Sequence, residues 1–223
     1  RALLIDAGSG AIVDHLSELG ISRVEWVLHT HHHRDQCWGD AKLIDGGAAI
    51  AVPQHERHLF EQAELFWQTR RTFDNYNDRN TFFTVGKDIP VQAVLNDYEF
   101  FEWRGTRFFV LPAKGHTFGS VSLLAEIDGR LFTFTGDLMG RGGVLYQLHA
   151  MEYNYGDMIG ALFTLESIQA LRDCLTGEVL AGHTFTVGSS DASPLVLPAH
   201  GETIDDPVGD IDRLERNLTE LAA

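Results

Sequence analysis

Cysteine is scarce in this chain: Cys37 and Cys174 are the only two among 223 residues, too few for a disulfide framework. Basic residues are scarce as well, with 17 Lys and Arg against 32 Asp and Glu and a formal net charge of −15 at pH 7. Nucleic-acid binders draw most of their affinity from Lys and Arg releasing counterions from phosphates, so RNA and DNA are disfavoured partners. No apolar run approaches the ~18 residues of a membrane span. Repeats are also missing: Gly-His-Thr-Phe occurs at 115–118 and 182–185, but two short matches do not make a period. The chain opens at Arg1 rather than Met, so its native start and any targeting segment are expected outside the sequence. These absences lead to the expectation of a soluble, cytoplasmic protein that acts on a small molecule, with no nucleic acid and no membrane as partner. What is plentiful is histidine, at eleven residues.

An apolar fraction of 44% over 223 residues is enough for one substantial core. Ala2 to Ile5 reads as a buried strand that ends in Asp6-Ala7-Gly8. Ile12, Val13, Leu16 and Leu19 then recur at helical spacing before Gly20, so the opening is expected to be strand, turn, helix. Val24 to Leu28 is a second strand candidate and runs into His29-Thr30-His31-His32-His33-Arg34-Asp35-Gln36. Pro53 to about Arg70 looks helical, and an irregular aromatic stretch with Phe73, Tyr76, Phe82 and Phe83 follows. A lid or insertion is expected over about 53–90, within a single domain spanning 1–223. From Tyr98 the pattern becomes β: Tyr98–Trp103 and Arg107–Leu111 flank Arg104-Gly105, and Val121–Ile127 and Leu131–Thr135 flank Asp128-Gly129, a strong hairpin signal. Asp157 can cap a helix with Met158, Leu162, Leu165, Ile168, Leu171 and Leu175 on its apolar face. A last strand at Leu195–Leu197 reaches His200-Gly201, and Pro207 opens a final amphipathic helix carrying Ile211, Leu214, Leu218 and Leu221. The mixture predicts an α/β or α+β class built of packed layers.

Four strand candidates each end in a metal-capable residue beside Gly or Asp: Leu28 into His31, His33 and Asp35; Leu111 into Gly115-His116; Thr135 into Gly136-Asp137; Leu197 into His200-Gly201. Strand ends can converge along one edge of a layered fold. Zinc takes three or four N/O ligands at about 2.0–2.2 Å and keeps a position open for water when it is catalytic. His31, His33 and His116 can supply three nitrogens to one ion, with Asp137 placed to bridge. Asp35, Asp137 and His200 can supply a second, and a metal pair polarises a carbonyl or phosphoryl oxygen and steadies the leaving group.

Taken in order, these motifs resemble those of the metallo-β-lactamase-fold superfamily. Asp6-Ala7-Gly8 looks like its first acidic turn, and Thr30-His31-His32-His33-Arg34-Asp35-Gln36 is similar to its T-H-x-H-x-D-H signature. Gly115-His116-Thr117-Phe118-Gly119-Ser120 resembles its G-H-T-x-G-S, with Thr135-Gly136-Asp137 and Pro198-Ala199-His200-Gly201 as its fourth and fifth motifs. The resemblance implies a four-layer αββα sandwich and a hydrolase with zinc, two ions, as cofactor. It implies His31, His33 and His116 on the first metal, Asp137 bridging, and Asp35 with His200 on the second. In that reading a hydroxide held on zinc attacks the electrophile, and Asp35 orients it and shuttles a proton to the leaving group. An ester, lactone, thioester, β-lactam, phosphodiester or sulfate ester suits such a site.

Two departures from the family pattern stand out. Gln36 replaces the histidine that directly follows the aspartate, and a neutral amide oxygen is a weaker zinc ligand than imidazole. The family also places strands before the first acidic turn, whereas this chain begins almost at it. Either those strands lie outside this sequence, or another segment or a second copy completes the sheet. Gln36 keeps a rival open, a mononuclear iron persulfide dioxygenase of the same fold, beside a non-catalytic metal-stabilised module.

Other residues have plainer readings. A register shifted to His29 and His31 is an alternative that the Asp35 alignment argues against. His32 is expected to face away from the ligands, into supporting contacts or solvent. His55 and His58 flank Glu56 one residue short of H-E-x-x-H and read as surface histidines. Asp6 reads as a turn former or, as the resemblance implies, a support for the metal loop, Cys37 as a small buried hydrophobe, and Gly140-Arg141-Gly142-Gly143 as an ordinary mobile loop. The aromatics of 66–83 line an apolar pocket or pack an insertion. His149, Glu152, Tyr153 and Tyr155 fall where a substrate loop is expected, without assigned roles.

Overall fold

The computed structural model describes residues 1–69, 86–145, 159–185 and 193–222. Two compact units divide the chain, Arg1–Val94 and Leu95–Ala223.

The first unit is built on a sheet of order β1-β2-β3-β4, with β1 at Ala2–Ile5, β2 at Val24–Leu28, β3 at Ala49–Pro53 and β4 at Ala93–Leu95. Strands β1, β2 and β3 run parallel, with Ile5 opposite Leu28 and Leu28 opposite Ala51. Parallel neighbours cannot be joined by a hairpin, so the chain returns through crossovers. The first is a short 3₁₀ turn at Ala11–His15, not the helix expected through Leu19. Val13 and Leu16 still pack on the core, while Leu19 is exposed; the helical spacing marks an apolar crossover rather than a helix. The second holds α1 (Arg34–Cys37) and α2 (Asp40–Asp45). Pro53, expected to open a helix, closes β3 instead, and the helical stretch after it breaks at Gln62 into α3 (Arg57–Glu61) and α4 (Ala63–Thr69). Val24, Val27, Leu43, Ile50, Val52 and Phe60 form the core of this unit.

A five-stranded sheet of order β5-β6-β7-β8-β9 forms the second unit. Strands β5 (Phe100–Trp103), β6 (Thr106–Pro112), β7 (Val121–Ile127) and β8 (Arg130–Gly136) form an antiparallel meander. Arg104 and Gly105, at φ 48° and 85°, and Asp128 and Gly129, at φ 51° and 77°, turn two of its corners. Paired left-handed residues match the twist of the strands they join. Strand β9 (Leu195–Pro198) then adds parallel to β8, reached through helix α5 (Ile159–Thr176), and α6 (Pro207–Ala222) follows. Phe109, Leu111, Leu124, Leu131, Ile168, Leu171, Leu175, Ile211, Leu214 and Leu218 make the core.

The buried face of α5 differs from the expected one. Leu162 is exposed, and Ala161 and Thr164 are buried in its place, ahead of Ile168, Leu171 and Leu175. The reason is local: Gly115, at φ 143°, lies so close to the helix that an added Cβ would sit 2.1 Å from Thr164 Oγ1. Small residues on that part of α5 admit the loop that carries His116, and Ser167 Oγ donates to the Lys114 carbonyl at 2.7 Å. In the second Gly-His-Thr-Phe only Phe185 joins the core, with half-buried His183 edge-on to Phe100 and Phe109 and with Gly182 and Thr184 exposed. The aromatics Phe73, Tyr76, Phe82 and Phe83, and His149, Glu152, Tyr153, Tyr155, Asp157 and Met158, lie outside the described residues.

Candidate metal centre

In the first unit the site grows from the end of β2. Leu28 accepts from the Asp6 N–H and the His29 N–H donates to the Ala51 carbonyl, so the sheet holds the backbone up to the residue before Thr30. His33 caps α1 in extended conformation, and its carbonyl accepts from Gln36 and Cys37 N–H groups. His31 and His33 are both buried, their rings edge to face at 4.8 Å between centroids, while Asp35 is exposed. The Gln36 carbonyl accepts from the Ala7 and Gly8 N–H groups, which ties the ligand loop to the acidic turn. This tie requires two glycines: a Cβ on Gly39 would lie 2.3 Å from the Gly10 nitrogen.

Side chains then set the polarity of the loop. Asp6, in left-handed backbone at φ 57°, accepts the Thr30 N–H at 2.9 Å on Oδ1 and the Thr30 hydroxyl at 2.8 Å on Oδ2. That hydroxyl also lies 3.1 Å from His31 Nδ1. Its proton goes to the carboxylate, so the remaining bond is donated by His31 Nδ1–H, and Nε2 carries the lone pair a metal requires. Asp6 therefore supports the ligand loop as well as forming a turn.

His29 is not a ligand. Its Nδ1 donates to Asp6 Oδ1 at 3.2 Å and its Nε2 donates to Asp40 Oδ1 at 3.0 Å. Carboxylates only accept, so both ring nitrogens hold protons. Burial by itself pushes the His29 pKa down, but the charge and hydrogen bonds of Asp40, and then those of Asp6, outweigh it and raise the value to about 10. The register using His29 and His31 is thereby set aside. His32 is buried too, with its N–H and its Nδ1 on Glu56 Oε2 at 2.6 and 2.9 Å, so supporting contacts replace solvent. His55 and His58 are exposed as expected, but Glu56 between them is a supporting residue that sequence reasoning missed. Its signal was a lone acid between two histidines, in a motif one residue too short. Gln36 is buried, and its Nε2–H donates to Asp35 Oδ2 at 3.2 Å.

The second unit contributes His116, Asp137 and His200. His116 follows the strained Gly115 after β6, Asp137 follows β8, and His200 follows β9, whose parallel pairing with β8 sets Pro198 opposite Gly136. The Ala199 N–H donates to the Gly136 carbonyl and locks the two strand ends together. Asp137 Oδ2 lies 3.2 Å from His116 Nε2, and Oδ1 lies 3.5 Å from His200 Nε2. A charge-assisted hydrogen bond closes to about 2.7–2.9 Å. Two ligands at about 2.1 Å on a tetrahedral ion stand about 3.4 Å apart, and the observed separations are close to that spacing. Imidazole and carboxylate donors in this arrangement fit a divalent cation. The loop after Asp137 is hydrogen-bonded to its own unit: the Gly142 N–H donates to buried Asp210 Oδ2 at 2.6 Å, and Arg141 pairs with Glu202 at 2.6 Å. Each unit thus carries three of the six expected ligands.

Residues 1–183 match the metallo-beta-lactamase superfamily. The chain belongs to that superfamily. Its members are mostly hydrolases and bind divalent metals, and the buried His and Asp residues are a candidate site for such an ion. Among solved structures, a metallo-beta-lactamase family protein from Thermus thermophilus shares 20% identity over 97% of this chain and 70% of its own, with a TM-score of 0.65. A metallo-beta-lactamase superfamily protein from Sulfolobus tokodaii shares 18% identity over 99% of this chain and 76% of its own, with a TM-score of 0.61. A subclass B3 metallo-beta-lactamase of Bradyrhizobium japonicum shares 15% identity over 99% of this chain and 83% of its own, also with a TM-score of 0.61. At such identities these likenesses show the fold, an α/β sandwich of the metallo-β-lactamase type. No curated protein matches the chain in sequence. Among the described residues no helix is long and apolar enough to cross a membrane.

Proposed function

We propose that the protein is a metal-dependent hydrolase that cleaves an ester, lactone, thioester or related small-molecule bond. The ligands in this reading are His31, His33 and His116 for one zinc, Asp137 as the bridge, and Asp35 with His200 for a second. The observation that carries it is Asp137, with a histidine nitrogen near each carboxylate oxygen at the spacing of shared ligands. When bound, the metal supplies Lewis-acid polarisation of the scissile group and a water acidic enough to react near neutral pH.

The chain's own residues do the rest. Thr30 and Asp6 keep the His31 proton on Nδ1, so that Nε2 coordinates. Gln36 fixes the plane of Asp35 from Oδ2, and an Asp35 carboxylate oxygen takes a proton from the attacking water and passes it to the leaving group. Exposure of Asp35 suits that traffic, whereas buried His31 and His33 suit a fixed charge site.

The same Gln36 favours a second reading. Its amide nitrogen faces Asp35, which supports a weak second site and a mononuclear iron dioxygenase acting on a persulfide. An ester, lactone, thioester and phosphodiester panel on zinc-loaded protein, run beside oxygen uptake with persulfide on iron-loaded protein, separates the two. Hydrolysis of one panel member with no oxygen uptake is expected; uptake without hydrolysis overturns the proposal in favour of the dioxygenase.

A further inference from the structure

Within Arg1–Val94 a file of hydrogen bonds runs through five side chains. Asp40, at the start of α2, accepts from His29 Nε2 at 3.0 Å; His29 Nδ1 donates to Asp6 at 3.2 Å; Asp6 accepts from the Thr30 hydroxyl at 2.8 Å; and that hydroxyl lies 3.1 Å from His31 Nδ1. His29 is fully buried against Phe60, at 5.1 Å between ring centroids. A buried imidazole with two carboxylates is a costly choice unless the network has a task.

We propose that His29 is a positioning residue of the metal centre: by bridging Asp40 and Asp6 it fixes the carboxylate that, through Thr30, sets the tautomer and aim of His31. The inference rests on the reading that His31 holds a metal. Its logic lies in the direction of the Thr30 proton. While Asp6 is held in place, Thr30 donates to it and His31 Nδ1–H donates to Thr30, leaving Nε2 to coordinate. If Asp6 swings away, the Thr30 hydroxyl donates to Nδ1 instead, the ring proton moves to Nε2, and the ligand nitrogen becomes a donor. Asp40 lies 11 residues from His29 and on the other side of α1, so the file also couples His31 to the helix that follows the ligand loop.

The test is cobalt(II) affinity, by chelator competition and visible absorption, for the wild type, His29→Gln, Asp40→Asn, Thr30→Val, Thr30→Ser and the His29→Gln/Thr30→Val double variant. Thermal unfolding of each metal-free protein and the ¹⁵N shifts of the His31 ring are read alongside. Thr30→Val is expected to weaken cobalt binding about 10- to 100-fold, the range for lost supporting contacts, and Thr30→Ser to restore it. His29→Gln is expected to weaken it about 10-fold and to move the ring proton towards Nε2, with Asp40→Asn acting in the same direction. The double variant is expected to bind no more weakly than Thr30→Val, because the file is already cut. Wild-type affinity and tautomer in both His29→Gln and Asp40→Asn, or losses that add in the double variant, overturn the inference alone. A wild type that binds no cobalt, or a His31→Ala variant that binds it unchanged, overturns the His31 reading and this inference with it.

Discussion

The two units position metal-capable side chains by different means. In Arg1–Val94 strands β1, β2 and β3 run parallel and the candidate ligands follow one of them, so a single short loop must be held from several sides. Carboxylates do this: half-buried Asp6 and buried Asp40 through His29 and Thr30, and buried Glu56 through His32. In Leu95–Ala223 the candidate ligands come from the ends of three strands, and the ladder itself sets their spacing, with β8 and β9 paired through Phe134 and Leu197 and, after a shift in register, Gly136 opposite Pro198. Where one loop carries the candidate ligands, side-chain hydrogen bonds supply the geometry. Where strands carry them, backbone pairing supplies it, and close glycine contact with a helix refines it.

Substitutions can break this contrast, and the largest effect is expected at the reacting centre. Asp35→Asn should lower the hydrolytic rate about 100-fold or more by removing the proton acceptor, while His200→Asn lowers it less; steady-state rates at saturating zinc measure the difference. A larger loss for His200→Asn would place the essential group in the second unit.

Glycine contacts come next. Gly115→Ala forces a Cβ against Thr164, and Gly39→Ala forces one against the Gly10 backbone, so each should destabilise the fold by about 3 kcal/mol in urea unfolding. Equal losses would show that both units depend on close backbone approach, and a mild Gly115→Ala would break that part of the account. Glu56→Ala should cost about 2 kcal/mol, because it strips two buried His32 N–H groups of their acceptor.

The hairpin half of the fold is the more legible in sequence. Arg104-Gly105 and Asp128-Gly129 state their turns directly, and the strands they join fall within a residue or two of expectation. The parallel half is harder: β3 and β4 have no hairpin to announce them, and Pro53, which reads as a helix opener, closes a strand. The candidate ligands stand out in the sequence because glycine and strand ends frame them. Their supports are not, since Asp40 and Glu56 meet His29 and His32 only through the tertiary fold. The face of α5 shows the same limit: leucine spacing points to Leu162, but close approach to Gly115 decides for Ala161 and Thr164.

Two smaller effects sharpen the picture. Leu162→Ser should change unfolding free energy by less than about 0.5 kcal/mol, whereas Leu171→Ala should cost about 2–5 kcal/mol, confirming which face of α5 is core. Burial, then the neighbouring Asp173, pushes the Cys174 thiol up to about 12. The folded protein therefore keeps Cys174 protonated, and the stability tied to it is complete below about pH 9 and declines as pH rises from there towards 12. At about pH 8, below the ordinary thiol pKa, a disulfide reagent should leave Cys174 unlabelled until the protein is unfolded. Rapid native labelling would contradict its place in the core.

The proposed function rests on metal binding by His31, His33 and His116, and metal content per chain by mass spectrometry tests it most directly in the wild type, His31→Ala and His116→Ala, each purified folded and loaded with zinc. The account predicts at least one zinc per chain in the wild type and a loss of bound metal in both variants. Less than about half a metal per chain in the wild type, or full content in either variant, would contradict it.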